Sequence, residues 1–155
     1  MKNKFLLLVI SVLIGTVLIT GCMKEKSIDA NIIVESIQTH EYFADKPDNN
    51  KYYINSLDEL NRFGEIYSDV LKEYKDKLGE NSLFVYVSEE NSGSNELKLK
   101  EVSFDNKKVN FIISEDRPEV GTADMAFWYL IAVIPNEKLK SLDLSDWKKP
   151  SMFIK

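Results

Sequence analysis

The chain has 155 residues, a formal net charge of −5 and a single cysteine, Cys22. This length suits one domain, and the acidic balance opposes binding to nucleic acid or to anionic lipid headgroups. A lone cysteine excludes an intrachain disulfide bridge, so the folded domain must be stabilised by its core alone.

The first 21 residues have the pattern of an export signal. Two lysines precede an apolar run over residues 5–19, which is typical of a cleavable secretory signal. The following motif, ITGC at residues 19–22, resembles the lipobox of bacterial lipoproteins. The resemblance implies cleavage between Gly21 and Cys22 and attachment of a diacylglycerol to the Cys22 thiol. Two acyl chains, palmitate being typical, would give stable membrane anchoring.

Two alternatives stay open beside the lipoprotein interpretation. The apolar run is long enough for a plain transmembrane anchor, and a soluble secreted protein would carry Cys22 as a free thiol. We expect a lipid-anchored protein on the outer, extracytoplasmic face of the cell membrane. Loss of the two signal lysines changes the net charge from −5 to −7, so the lipid, not the protein surface, would hold the chain there. Frequent Lys, Asn and Ile favour a low-GC Gram-positive host.

Three parts follow from these boundaries. Residues 1–21 are the predicted signal peptide, residues 22–30 the lipidated cysteine with a short tether, and residues 31–155 a single α+β domain. Eight extended tether residues reach at most about 28 Å. We therefore expect the domain to stay close to the membrane.

The first half of the domain is predicted to form a strand, a loop and then helical structure. We expect the strand over residues 31–40 and the loop over residues 41–51. The motif SLDE at residues 56–59 is a capping box, which begins a helix. Apolar residues then recur at three- and four-residue steps through residues 57–78. A glycine and a serine interrupt them, so we expect one bent helix or two short ones, the second capped by Ser68.

The second half is predicted to be a run of strands joined by short turns, which indicates an antiparallel meander. Strands are expected over residues 82–88, 96–104 (with a bulge near Lys100 or Glu101), 109–113, 126–134 and, at a sheet edge, 152–154. Residues 114–125 form a long polar loop. One helical turn is expected within residues 136–142.

The stretch AFWYLIAVI at residues 126–134 contains no charged side chain. A strand that is apolar on both faces must be central in its sheet and covered on both sides. The predicted fold class is therefore α+β: a mostly antiparallel twisted sheet with one long or two short helices packed on one face, after a cleaved signal peptide.

Candidate catalytic groups are few. A nucleophile activated by histidine would need His40, the only histidine, which we interpret as a surface residue leaving a strand. Glu89, Glu90 and Asp124 could be proposed as a carboxylate pair for glycoside hydrolysis. A hydrolase is the least expected function, and we predict a non-enzymatic protein.

Metal and cofactor sites are not predicted. One histidine and one cysteine cannot form a zinc site, and no Gly-rich phosphate-binding motif is present. Four acidic residues in the polar loop could in principle bind calcium; they are Glu115, Asp116, Glu119 and Asp124. Their order does not match an EF-hand loop, and we expect them to be solvated.

Aromatic residues give a second open alternative. Phe127 and Tyr129 would share one face of the predicted central strand, and Trp128 would point to the other. Aromatic side chains at this spacing are usually core. If one sheet face were uncovered, these aromatic side chains would instead line a groove. The protein would then be a small-ligand binder or an inhibitor.

From Ser82 onward the pattern resembles the C-terminal domain of the PrcB family, subunits associated with surface protease complexes. The matching segments are SLFVYVS, the Gly-containing turn SGSNELKLKEV, the strand KKVNFIIS, a polar loop ending near Thr122-Ala123 and a final apolar strand ending in Ile134-Pro135. The preceding helix, begun by SLDELNRF, also suits the family, so the resemblance spans about residues 52–135. Family members often carry a Thr-Gly-Gly-Tyr-like turn where this chain has SGSN at residues 92–95. The segment GTADMAFWYLIAVIP also resembles uncharacterised clostridial lipoproteins. The resemblance implies a non-catalytic module that stabilises or contacts another exported protein.

The sequence therefore predicts a membrane-anchored accessory module whose partner is an exported protease or envelope protein. The expected contact surface is the 114–125 loop together with the 91–95 turn. Its candidate residues are Arg117, Glu119, Thr122, Asp124 and Trp128. Arg117 and Asp124 would contact the partner or, alternatively, hold the loop by a local pair or cap.

Overall fold

The computed structural model describes Asp29 and residues 31–40, 50–67 and 69–150. These residues form the predicted α+β fold, with a mostly antiparallel four-stranded sheet, a second two-stranded sheet and short helices. Several predicted features lie outside the described residues: the signal with Gly21 and Cys22, the tether, most of the 41–51 loop, the cap Ser68 and the edge strand 152–154.

The elements follow one another in the order β1 (Ile33–Thr39), β2 (Lys51–Ile54), α1 (Leu57–Ile66), a 3₁₀-helix (Asp69–Lys77), β3 (Asn81–Glu90), β4 (Glu96–Ser103), a 3₁₀ turn (Asp105–Lys107), β5 (Asn110–Asp116), β6 (Ala126–Pro135) and α2 (Asn136–Leu139). In the described part of the chain, no helix is long and apolar enough to cross a membrane.

Strand β6 is the centre of the fold, as its apolar sequence predicts. The four-stranded sheet has the order β1-β6-β3-β2, and every neighbouring pair is antiparallel. Phe127, Tyr129 and Ile131 belong to the core beneath α1 and the 3₁₀-helix. Trp128 and Leu130 belong to a second core on the opposite face. Both faces of β6 are therefore buried.

The predicted meander is wrong, because β4 and β5 do not continue the sheet. They pair with each other as a separate hairpin, and β3 pairs directly with β6. Leu97, Leu99 and Val102 of the hairpin pack in the second core, together with Trp147 from the C-terminal segment. A strand with alternating apolar residues is expected to bury one of its faces. This hairpin does so by packing its apolar face onto one face of the four-stranded sheet, and not by adding strands to the edge of that sheet.

The helical region consists of two short helices rather than one bent helix. The first begins as predicted, with the Ser56 hydroxyl accepting the Glu59 N–H at 3.3 Å. The reciprocal bond is shifted by one residue, since the Glu59 carboxylate accepts the Asn55 N–H at 2.8 Å. The second helix is a 3₁₀-helix, and Gly79, two residues after it, has φ +99°. Gly tolerates this left-handed conformation at a helix end.

The hairpin contains the predicted bulge, between Leu99 and Glu101. Strand β5 runs on to Asp116, so the connecting loop begins at residue 117 and not at residue 114 as predicted. Pairing with β4 explains the difference, because Ser114, Glu115 and Asp116 lie opposite Lys98, Leu97 and Glu96. The long, well-paired ladder outweighs the low strand propensity of this polar segment.

Candidate functional site

Two exposed segments meet at one end of the fold. They are the turn at residues 91–95, between β3 and β4, and the loop at residues 117–125, between β5 and β6. We call this pair the loop–turn surface. The two segments are about thirty positions apart in sequence, and side-chain to backbone hydrogen bonds join them.

Thr122 and Ser94 make a reciprocal pair across the loop–turn surface. The Ser94 N–H donates to the Thr122 hydroxyl at 3.1 Å, and the Thr122 N–H donates to the Ser94 hydroxyl at 3.2 Å. The Ser92 hydroxyl lies 2.9 Å from that of Ser94 and 3.2 Å from that of Thr122. Each segment therefore satisfies polar groups of the other, much as strand ladders do.

Asp124 fixes the same turn at a second point. One carboxylate oxygen accepts the Gly93 N–H at 3.2 Å, and the other lies 3.3 Å from Nδ1 of His40, at the end of β1. The Thr122 hydroxyl, the Gly93 N–H and the nearby His40 hold the pKa of Asp124 below its ordinary value, against a smaller effect of desolvation. Hydrogen bonds to the charged form of a carboxyl lower its pKa in this way.

Glycine leaves room for neighbouring side chains where the two segments touch. A Cβ atom on Gly93 would overlap the Asp124 carboxylate and lie 2.8 Å from Cε1 of His40. A Cβ atom on Gly121 would lie 2.7 Å from the Ser92 hydroxyl. The Gly93 carbonyl also accepts a bond of 2.6 Å from the Gln38 amide of β1. A side chain at either position would therefore displace the polar side chains that join the loop, the turn and β1.

Trp128 connects the loop–turn surface to the core. Its indole N–H donates to the Asn95 carbonyl at 3.1 Å, and the Asn95 amide donates to Glu90 at 3.0 Å. Glu90 is buried, with 7% of its area exposed. The Arg117 guanidinium lies 3.7 Å from Glu90 and also pairs with Glu115. Arg117 therefore offsets the charge of a buried carboxylate, which is costly when unpaired.

The outer part of the loop carries exposed side chains. Val120 is 87% exposed, and Glu119 and Met125 are also exposed. A single exposed apolar residue is ordinary. Val120 is followed by residues that bond to the turn, among them Thr122 and Asp124. The exposed apolar side chain therefore belongs to a loop whose backbone is fixed close by.

The structure brings the five sequence-predicted residues to one region but gives them different tasks. Thr122 and Asp124 bond the loop to the turn, and Trp128 bonds the turn to β6. Arg117 pairs with acidic neighbours, and Glu119 is exposed on the loop. Arg117 and Asp124 do not form the local pair considered above.

Sequence reasoning missed two contributors, His40 and Gln38, which lie at the end of β1. Gly93 and Ser94 belong to the predicted 91–95 turn, but their bonds to the loop were not predicted. The only signal that places His40 here is the register of β1 against β6, in which Thr39 lies opposite Phe127. The residue after Thr39 must then lie near the residues that precede β6. That register follows from the tertiary structure and not from any local pattern.

The candidate catalytic groups have other partners in the structure. Within the described residues, no serine or threonine hydroxyl is hydrogen-bonded to the His40 imidazole. Glu90 is held by Asn95, and Asp124 by Gly93. Over the same residues, no three His, Cys, Asp or Glu side chains are placed to share a metal ion.

The aromatic side chains of β6 lie in the two cores. Phe127 and Tyr129 are covered by α1 and the 3₁₀-helix, and Trp128 is covered by the hairpin. The small-ligand alternative needs one sheet face to be uncovered. In the part of the chain that the structure describes, both faces of β6 are covered, so its aromatic side chains do not line an open groove.

No family model, no curated protein and no solved structure matches this chain. The resemblances to the lipobox and to the PrcB C-terminal domain stay predictions.

Proposed function

We propose that this protein is a membrane-anchored, extracytoplasmic lipoprotein that acts as a non-catalytic, protein-binding accessory module. Its partner would be another exported protein, of the protease or envelope class. The lipid on Cys22 would hold the domain at the membrane, and the loop–turn surface would contact the partner.

The observation that carries the proposal is the construction of the loop–turn surface. A nine-residue loop on an ordinary domain needs no cross-links to a turn about thirty residues away. Here Thr122 and Asp124 of the loop each bond to that turn, and Trp128 of β6 fixes the turn from the other side. Such bonds reduce the conformational freedom that the loop would otherwise lose on binding, which favours affinity.

The exposed groups indicate the character of the contact. Val120 offers an exposed apolar anchor, and the neighbouring Glu119 offers an exposed charge. A central apolar contact surrounded by polar groups is the usual arrangement of a protein interface. The proposed partner surface therefore has a small apolar depression with polar groups around it.

Anchoring is tested separately from binding. The full-length chain and its Cys22→Ala variant would be expressed in a Gram-positive host, and their membrane and soluble fractions compared. We expect the unaltered chain in the membrane fraction with a lipid-modified N-terminal Cys22, and the variant to carry no lipid. An unaltered chain in the membrane fraction that keeps residues 1–21 and carries no lipid would overturn the lipoprotein assignment in favour of a transmembrane anchor.

Binding is tested by in-cell crosslinking and mass spectrometry of captured proteins. The loop variant Arg117→Ala/Asp124→Ala removes one positive and one negative charge. The matched control, Asp69→Ala/Lys72→Ala, removes an exposed ion pair from the 3₁₀-helix. We expect one exported protein to dominate the capture, and only the loop variant to lose it. Equal capture by both variants would show that the loop is structural only.

A further inference from the structure

Strand β5 has a free edge in the described part of the chain. The outer edge of β2 is covered by the C-terminal segment, since the Tyr53 N–H donates to the Lys148 carbonyl at 2.9 Å. The edge of β1 faces β4, where the Leu99 N–H donates to the Ser36 hydroxyl at 2.8 Å. Among the described residues, β5 pairs with β4 on one side and with no strand on the other.

Only part of the free edge is protected. Natural edge strands carry charged side chains, Pro or bulges that prevent pairing with another chain. Strand β5, NFIISED, has no Pro, its two charged residues stand at its end, and the bulge of the hairpin lies on β4. Ile112 and Ile113 are 42% and 38% exposed. A seven-residue edge with two exposed isoleucines is a template for strand addition.

We propose that β5 pairs antiparallel with β5 of a second copy, with Ile113 opposite Ile113. In an antiparallel pair, two directly opposed residues lie on the same face of the sheet. The two-fold axis that relates the copies must therefore place one residue opposite its own copy. Ile113 is the midpoint of β5. Centring the axis there pairs all seven residues, and moving it by one residue loses two of the seven.

The charges of β5 fit this register. Glu115 lies opposite Phe111, Asp116 opposite Asn110, and Ile112 opposite Ser114. No acidic residue therefore lies directly opposite another one. A parallel pairing in register would place Glu115 and Asp116 against their own copies, where like charges are destabilising. The sequence of β5 is thus self-complementary only in the antiparallel sense.

The paired strands would also duplicate the loop–turn surface. The loop begins at residue 117, directly after β5. The two loops would start at opposite ends of the shared ladder, roughly 20 Å apart for six residue steps. The inference stands without the proposed function, because it depends only on β5. If both hold, the assembly presents two contact surfaces to its partner.

Disulfide trapping tests the register with the full-length chain in membranes. Opposed residues have Cβ atoms about 5 Å apart, close enough for a disulfide after small adjustment. Under mild oxidation, Ile113→Cys should form a covalent dimer. Ile112→Cys alone should form several-fold less, and Ile112→Cys mixed with Ser114→Cys should restore the heterodimer. Two controls are needed. Covalent dimers of the unaltered chain report disulfides formed through Cys22, and those of Lys75→Cys report disulfides formed by random collision.

A second measurement removes the dependence on cysteine chemistry. The mass of the full-length chain in detergent would be measured by sedimentation. We expect a dimer for the unaltered chain and a monomer for Ile113→Lys, which places two charges opposite each other. Ile33→Lys is the control, since Ile33 is 42% exposed, close to the 38% of Ile113, but lies on β1. A monomeric unaltered chain, or Ile113→Cys dimers no more abundant than those of Lys75→Cys, would overturn the proposal.

Discussion

The indole N–H of Trp128, in the central strand, donates to the carbonyl of Asn95, in the turn between β3 and β4. The bond joins the second core to the loop–turn surface. The turn is therefore positioned by a residue whose ring is buried, and its geometry depends on the packing of β6.

Replacing Trp128 by Phe should release the turn. The change removes one hydrogen bond and part of a buried ring, for an expected loss of about 1–3 kcal/mol in the free energy of unfolding. Amide hydrogen exchange over residues 91–95 should also become faster. Trp147→Phe is the matched control, because Trp147 is also buried and donates to Val109 at 3.2 Å. It should lower stability without affecting exchange in the turn.

Gly93→Ala should displace the loop from the turn. The new methyl group would overlap the Asp124 carboxylate and lie 2.8 Å from Cε1 of His40, so these two side chains must move and their contacts with the turn must weaken. Asp124→Ala removes the group that the methyl group meets. The double variant should therefore lose less stability than the sum of the two single variants, as measured by denaturant unfolding. Additive losses would show that Gly93 is required for another reason.

The contact between Asp124 and Gly93 should weaken in acid. The folded-state pKa of Asp124 lies below the ordinary value of 3.8. Its stabilisation is therefore fully present above pH 3.8 and is lost as the pH falls through the folded-state pKa. The amide signal of Gly93 in NMR spectra should titrate with a midpoint below 3.8 and stay flat in Asp124→Asn. A midpoint at or above 3.8 would contradict this arrangement.

Stability should fall at alkaline pH through the tyrosines beneath the sheet. Burial, and then the hydrogen bond that its hydroxyl donates to Glu35, raise the pKa of Tyr74 above its ordinary value of 10.0. Burial also raises the pKa of Tyr67. Both contributions are complete below pH 10 and are lost as the pH rises towards the folded-state values. Tyr74→Phe should be less stable at pH 7 and should show a shallower alkaline decline in unfolding midpoint.

The central strand and the class of the fold could be predicted from the sequence. Nine uncharged residues at 126–134 require burial on both faces, and the capping box at Ser56 predicts a helix for one of them. What covers the other face could not be predicted. The alternation of Leu97 and Leu99 requires that one face of β4 is buried. That requirement is met equally well by β4 and β5 as strands of the main sheet, as predicted, and by β4 and β5 as a separate hairpin that packs on the sheet, as observed.

The region of the candidate site was predicted, but its bonds were not. An exposed loop beside a central strand is visible in the sequence. The pairs that join Thr122 to Ser94 and Asp124 to Gly93 span 28 and 31 positions. They depend on how β3 and β6 align, which no local pattern encodes. His40 is a surface residue leaving a strand, as predicted, but its position beside Asp124 could not be predicted for the same reason.

The most direct test of the proposed contact surface is site-specific photocrosslinking in cells. A photoreactive side chain at Val120 of the membrane-anchored, full-length chain would be compared with one at Lys75, which is exposed on the 3₁₀-helix. We predict that position 120 captures one exported protein and position 75 does not, apart from copies of the chain itself, which are recognised by mass. The same captured set from both positions, or none from position 120, would contradict the account.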